Sequence, residues 1–177
     1  MMSIGKCALI VAGLAVATLC AADARAPHTT QRDLIGVWRL VDIEVDGREV
    51  DPFYGSGSRG LLIYDKSGWF SVQIEGAGRP ALQVPSVRPA PDQSQSTARL
   101  KMAVLDSYYA YYGTWSFDPA TSTVTHHAKG ALYPGEDEAI YPQHVEIVGS
   151  RMIFSRTQNI AGHVTMQTKR WERVSAD

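Results

Sequence analysis

From Asp33 onward the chain is a succession of short β-prone runs separated by turn residues, a pattern that confines it to antiparallel sheet architectures. Leu34 to Val45 reads as a long first strand. Asp46-Gly47 behind it is a two-residue hairpin signal, because both turn positions favour positive φ, and Arg48 to Phe53 is the expected return. After the Gly55–Ser58 loop, Gly60–Tyr64 and Trp69–Glu75 flank Asp65-Lys-Ser-Gly68, a second hairpin that ends on glycine. Gly76 to Gln95 carries Pro80, Pro85, Pro89 and Pro91 and reads as a long surface loop. Ser96 or Thr97 then caps an expected helix whose Leu100, Val104, Tyr108 and Tyr111 recur at helical spacing, an apolar face suited to lie on the sheet or close one end of it. Strand runs resume after Gly113 as Thr114–Phe117, Thr123–Ala131, Tyr141–Val148, Arg151–Thr157 and His163–Val174, with Asp118–Ser122 and Gly149-Ser150 as turns.

Eight or nine antiparallel strands form either a closed up-and-down barrel or a two-sheet sandwich, and hairpins between sequence neighbours favour the barrel. The expected fold is therefore all-β: an antiparallel up-and-down β-barrel of about eight strands with one helix after the fourth or fifth strand, spanning residues 33–175. Composition fits one soluble domain, with 45% hydrophobic residues and a net charge of −1. The 17 lysines and arginines form no basic run, which argues against a nucleic-acid partner. Cys7 and Cys20 both precede the barrel, so the folded part has neither an internal disulfide nor a thiol nucleophile.

The N-terminus has the three parts of a secretory signal peptide: Lys6, the uncharged apolar run of 14 residues from Cys7 to Cys20, and small residues at Ala22, Ala24 and Ala26. As a helix that run spans about 21 Å, short of the roughly 30 Å hydrocarbon core, so no membrane span is expected after cleavage. Residues 1–24 are read as the signal, residues 25–32 as a flexible N-terminal segment, and the location as periplasmic or secreted. The cleaved chain is free of cysteine, which suits an oxidising compartment.

Within the strands, Gly36-Val37-Trp38 and a late basic residue, Arg170 or Arg173, form a pairing that resembles the lipocalins, whose first-strand Trp plugs the closed end of the barrel beneath a last-strand Arg. A wider set of segments follows in order: Leu34–Val41, Gly60–Tyr64, Gly68–Gln73, Tyr108–Gly113, Thr123–His127 and Trp171-Glu-Arg173. Together they resemble the bacterial and fungal lipocalin-like domain family from Leu34 to the C-terminus. The resemblance implies a lipocalin-like barrel with Trp38 and Arg173 as structural plug, and implies no reaction, since the family has no single established activity. Where the family pattern places basic residues before a Val-Glu-hydrophobic strand, this chain has Gln143 and His144, so recognition of an acidic ligand at that place is not carried over.

Candidate site residues follow from strand parity. His126 and His127 point to opposite faces, and His126 shares parity with Val124, which favours His126 as the inward one. Its possible roles are a buried, hydrogen-bonded imidazole, a ligand contact or an acid/base group. Val145 and Ile147 claim the interior of their strand and place His144 and Glu146 outside. His126, His144 and His163 have no metal-ligand spacing, so no metal is expected. Ser71 and Gln73 share a face with Trp69, opposite Phe70, Val72 and Ile74, and either face fits the interior. The resemblance covers Ser71, Tyr64, Tyr108 and Tyr111. No nucleophile elbow or phosphate loop is present in the sequence.

Two functions of different class fit these residues. The first is an exported barrel binding one small hydrophobic or amphipathic molecule in a central cavity, oriented by Tyr64, Ser71, Gln73, Trp115 and His126, with no cofactor. The alternative is a cofactor-free isomerase, cyclase or hydratase, with His126 as general base and Tyr108 or Tyr111 as acid. A structural barrel with no ligand is a third.

Overall fold

A computed structural model describes residues 29–48, 54–81, 95–160 and 162–174, and their strands close into one barrel. The elements are α1 (Gln31–Leu34), β1 (Gly36–Val45), β2 (Arg59–Tyr64), β3 (Trp69–Glu75), α2 (Gln95–Asp106), β4 (Tyr108–Asp118), β5 (Thr123–Ala131), β6 (Ile140–Val148), β7 (Arg151–Ile160) and β8 (His163–Arg173). Each strand pairs antiparallel with its sequence neighbour, and β8 returns to β1, so the sheet has no open edge. The signal region at residues 1–24 lies outside the described residues. Among the described residues no helix is long and apolar enough to cross a membrane.

The turns follow their residue chemistry. Asp46 and Gly47 both adopt positive φ, at 50° and 75°, and the hairpin closes through the Val45–Arg48 bridge. Most of the expected return strand, residues 49–53, lies outside the described residues, so the helix falls after β3 in the strand order. One expectation is corrected here. Tyr108 and Tyr111 belong to β4 and not to the helix, which ends at Asp106. Aromatic residues pair well on a pleated surface, and the ladder from Glu75–Tyr108 to Trp69–Thr114 overrides the helical spacing. Ser96 and Thr97 lie inside the first turn of α2, which starts at Gln95. The far end of α2 is tied to the barrel rim: Arg79 donates to the Val104 carbonyl at 3.2 Å, and the Tyr133 hydroxyl to that of Leu105 at 3.3 Å.

The closed end is built by the Gly-x-Trp signal. Trp38 is fully buried and its Nε1 donates to the Leu34 carbonyl at 2.8 Å. Arg173, its cross-strand partner on β8, lays its guanidinium 4.1 Å from the indole centroid. The same guanidinium donates to the carbonyls of Ile35 at 2.8 Å and Asp33 at 2.5 Å, fixing α1 beneath the barrel. Gly36 makes room for this: its φ is +136°, and a Cβ there would stand 2.6 Å from an Arg173 guanidinium nitrogen.

Two outcomes follow for stability in urea. Trp38→Ala is expected to cost about 3–5 kcal/mol by emptying the plug. Gly36→Ala is expected to cost about 1–3 kcal/mol through its backbone conformation, with further loss as Arg173 is displaced. Midpoints followed by circular dichroism check both.

Candidate functional site

The inward faces are apolar at the bottom and become polar toward the rim. Leu40, Leu62, Phe70, Val72, Phe154 and Trp171 line the middle of the barrel, all nearly inaccessible to solvent. Among them stands His126, 1% exposed, as its parity with Val124 indicated. A β-bulge between β4 and β5 follows it, where Gly113 faces Ala128, and a Cβ on Gly113 would lie 2.0 Å from the His127 carbonyl oxygen. Only glycine permits that approach.

Both ring nitrogens of His126 are engaged. Tyr111 Oη lies 2.8 Å from Nδ1, Tyr64 Oη contacts Nε2, and Gln143 Nε2 stands 3.5 Å from Nδ1. A neutral imidazole offers one N–H and one lone pair, so one tyrosine accepts from the ring while the other donates to it. Phe70 stacks on the ring at 4.0 Å between centroids. Burial, then the charges of Lys169, Arg156 and His127, push the imidazole pKa down to about 3. Burial likewise holds the Tyr64 and Tyr111 hydroxyls protonated by raising their pKa values.

This geometry does not suit the acid/base alternative. His126 has no ring nitrogen open to a substrate and is a poor proton acceptor near neutrality. Tyr108 lies on the outer wall, where its hydroxyl donates to Gln73 Oε1 at 3.4 Å and Arg79 covers its ring at 4.9 Å.

The remaining expected residues divide by face. Ser71 and Gln73 point outward, which corrects their reading as ligand contacts: Phe70, Val72 and Ile74 occupy the interior. Gln73 instead borders an open outer groove of about 420 Å³ with Arg39, Arg59, Glu75 and Tyr108. Trp115 is buried against Tyr64 at 4.8 Å, and both serve as packing around His126 without bordering the inner space. Outside, His144 and Glu146 are exposed side by side, as expected. Among the described residues no three potential metal ligands converge.

The expected central cavity is nearly filled. The space beside His126, lined by Tyr109, Tyr111, Gln143, Phe154, Lys169 and Trp171 among others, is about 10 Å³, room for about one water. Trp171 has a fully buried Nε1 with no hydrogen-bond partner among the described residues. Sequence analysis did not single out Lys169, Trp171 or Arg156 as interior site residues. The signal was present, because Gln167, Lys169 and Trp171 alternate on β8, and Arg156 shares the face of Met152 and Phe154 on β7.

Residues 35–173 match the family model described as a lipocalin-like domain. A comparison with curated proteins found no match. Among solved structures, zebrafish ileal bile acid-binding protein complexed with cholic acid is similar at 11% identity, covering 79% of this chain and 98% of that one, with a TM-score of 0.36. At that distance the cholic acid of the zebrafish protein says nothing about the contents of this barrel.

A pH signature follows from the buried imidazole. The unfolded ring protonates near pH 6.5, while the folded ring resists until about pH 3. The stability tied to its neutrality is therefore complete above the first value and is lost as pH falls toward the second, by about 1.4 kcal/mol per unit. Urea midpoints across this window are expected to fall more steeply for the natural chain than for His126→Gln; equal slopes would contradict a neutral buried ring.

Proposed function

The chain belongs to the lipocalin-like domain family, and on that premise we propose that it is an exported barrel that binds one small, largely apolar molecule bearing a hydrogen-bond acceptor. The observation that carries the reading is the indole N–H of Trp171. It is a buried donor without a partner among the described residues, and it belongs to the residues around the one-water space beside His126. Leaving such a donor unpaired costs about 1–3 kcal/mol, which a ligand oxygen would recover.

A space of about 10 Å³ admits no such ligand without movement. The ring system around His126 is held by hydrogen bonds and stacking, and Lys169, Gln143 and Tyr109 border the same space. Binding therefore requires a conformer in which side chains bordering the space move apart, a shift between conformers of one protein. His126 has both ring nitrogens engaged by tyrosine hydroxyls, which favours a packing or binding role for it over that of a general base.

Export rests on the N-terminal pattern of Lys6, the apolar run and the small residues around Ala24. Expression of the full chain in a bacterium with a periplasm is expected to yield a periplasmic protein whose intact mass begins at Arg25. Retention of residues 1–24 would overturn export.

Thermal unfolding against a panel of amphipathic compounds tests binding. A ligand at a hundred times its Kd is expected to stabilise the fold by about 2.7 kcal/mol, seen as a saturable rise in Tm. A panel without effect would leave the structural-barrel reading in possession.

A further inference from the structure

We propose that the groove on the outer wall is a second binding site, for a small organic monoanion that carries a carboxylate on a flat apolar body and is seated by Arg59 and Arg39 over Leu61. This site stands apart from the barrel interior and does not depend on the ligand-binding reading above. The groove is open as it stands, at about 420 Å³, a volume suited to a small molecule, whereas the space beside His126 holds about one water. Its origin lies in the strand pairing. Among the described residues the register of β1 with β2 ends at Arg39–Leu61, while β2 runs on against β3 to Arg59–Glu75 and β1 runs on against β8. Leu40 and Gly60 form the base beyond that last pair. A Cβ at Gly60 would stand 2.7 Å from the Gln73 carbonyl oxygen and 3.2 Å from the Leu40 Cβ, so the shape of the base depends on a glycine.

The registers set out the outer side chains in two rows. Arg39, Leu61 and Gln73 are successive cross-strand partners, and Arg59, Glu75 and Tyr108 form the row beside them. From β1 to β4 the rows cross three strand spacings, about 14 Å, room for a body of one or two rings. The ion pairs around the groove leave a positive surplus. Arg79 is held through all three guanidinium nitrogens, to Glu75, the Ser107 hydroxyl and the Val104 carbonyl, each at 3.2 Å, so its charge already offsets that of Glu75. Arg59 adds a second guanidinium to the same carboxylate at 3.0 Å, with 79% of its side chain in solvent. Arg39 faces Glu172 of β8 at 2.5 Å. In these pairs three arginines share two carboxylates, and the surplus charge falls on the most exposed of the three, Arg59. A ligand carboxylate completes the count and accepts from a guanidinium fork, while Leu61 and Tyr108 offer apolar surface to the ring. A neutral analogue gains only the apolar contact, and a cation is repelled.

Residue-resolved NMR titration of the full chain with naphthoate, naphthalenemethanol and naphthylmethylammonium tests the assignment. Naphthoate is expected to shift the amide signals of Gly60, Leu61 and Gln73 saturably and to bind about fivefold tighter than the alcohol, the upper end of what an exposed ion pair contributes. Added salt is expected to weaken the acid and not the alcohol, and the ammonium compound to leave these signals in place. Arg59→Gln is expected to remove the preference for the acid and to leave the affinity of the alcohol unchanged, with folding checked by circular dichroism. If that variant does not fold, the acid-to-alcohol ratio of the natural chain and its salt dependence still decide. Equal affinity for acid and alcohol, or an equal response to the ammonium compound, overturns the assignment. Shifts confined to the interior around His126 overturn it while supporting a ligand inside the barrel, and the absence of any shift overturns it as well.

Discussion

The pairing of β8 with β1 is the contact on which everything else in this molecule rests. It joins the two ends of a sheet that would otherwise expose two long edges, and it does so from Trp38–Arg173 to Val45–Gln167. Plug and closure are one interaction, since the indole and the guanidinium that cover each other are also cross-strand partners. A register shift between Leu40 and Asp42 keeps Ile43 in the core while Asp42 and Glu44 meet Arg170 outside.

Closure with eight strands also sets the interior volume, and that volume explains the electrostatics. An eight-stranded barrel is just wide enough for its own side chains, so His126, Tyr64 and Tyr111 are enclosed with little water between them. In such surroundings neutral forms prevail, which is why burial dominates the shift of all three groups. The cations stand nearer the rim, where Arg156 and Lys169 keep part of their surface in solvent. The family accounts for the architecture.

How far the sequence could be read depended on what each residue's neighbours added. Parity with Val124 was enough to send His126 inward, and the preference of Asp46-Gly47 for positive φ was enough to place a turn. The plug was anticipated through the resemblance of Gly36–Trp38 and a late arginine to the lipocalin pattern, and the pairing of β1 with β8 selects Arg173 over Arg170. Tyr108 and Tyr111 were misread as helical because their spacing from Leu100 and Val104 fits a helix as well as it fits chance. Ser71 and Gln73 remained ambiguous because both faces of β3 carry residues that can be buried, and only the pairing with β2 and β4 turns one of them outward.

The amino-acid sequence alone determined the strand succession, the antiparallel hairpins and the inward histidine, since each depends on turn preference or on a period of two within a few residues, while the plug was legible through the family resemblance. The tertiary structure decided the end of α2, the outward turn of Ser71 and Gln73, the near-filling of the hollow, and the placing of Lys169 and Trp171 beside the remaining space. Those outcomes arise from strand pairing across the sheet and from the volume enclosed when the sheet closes, and neither quantity is encoded in any short stretch of chain.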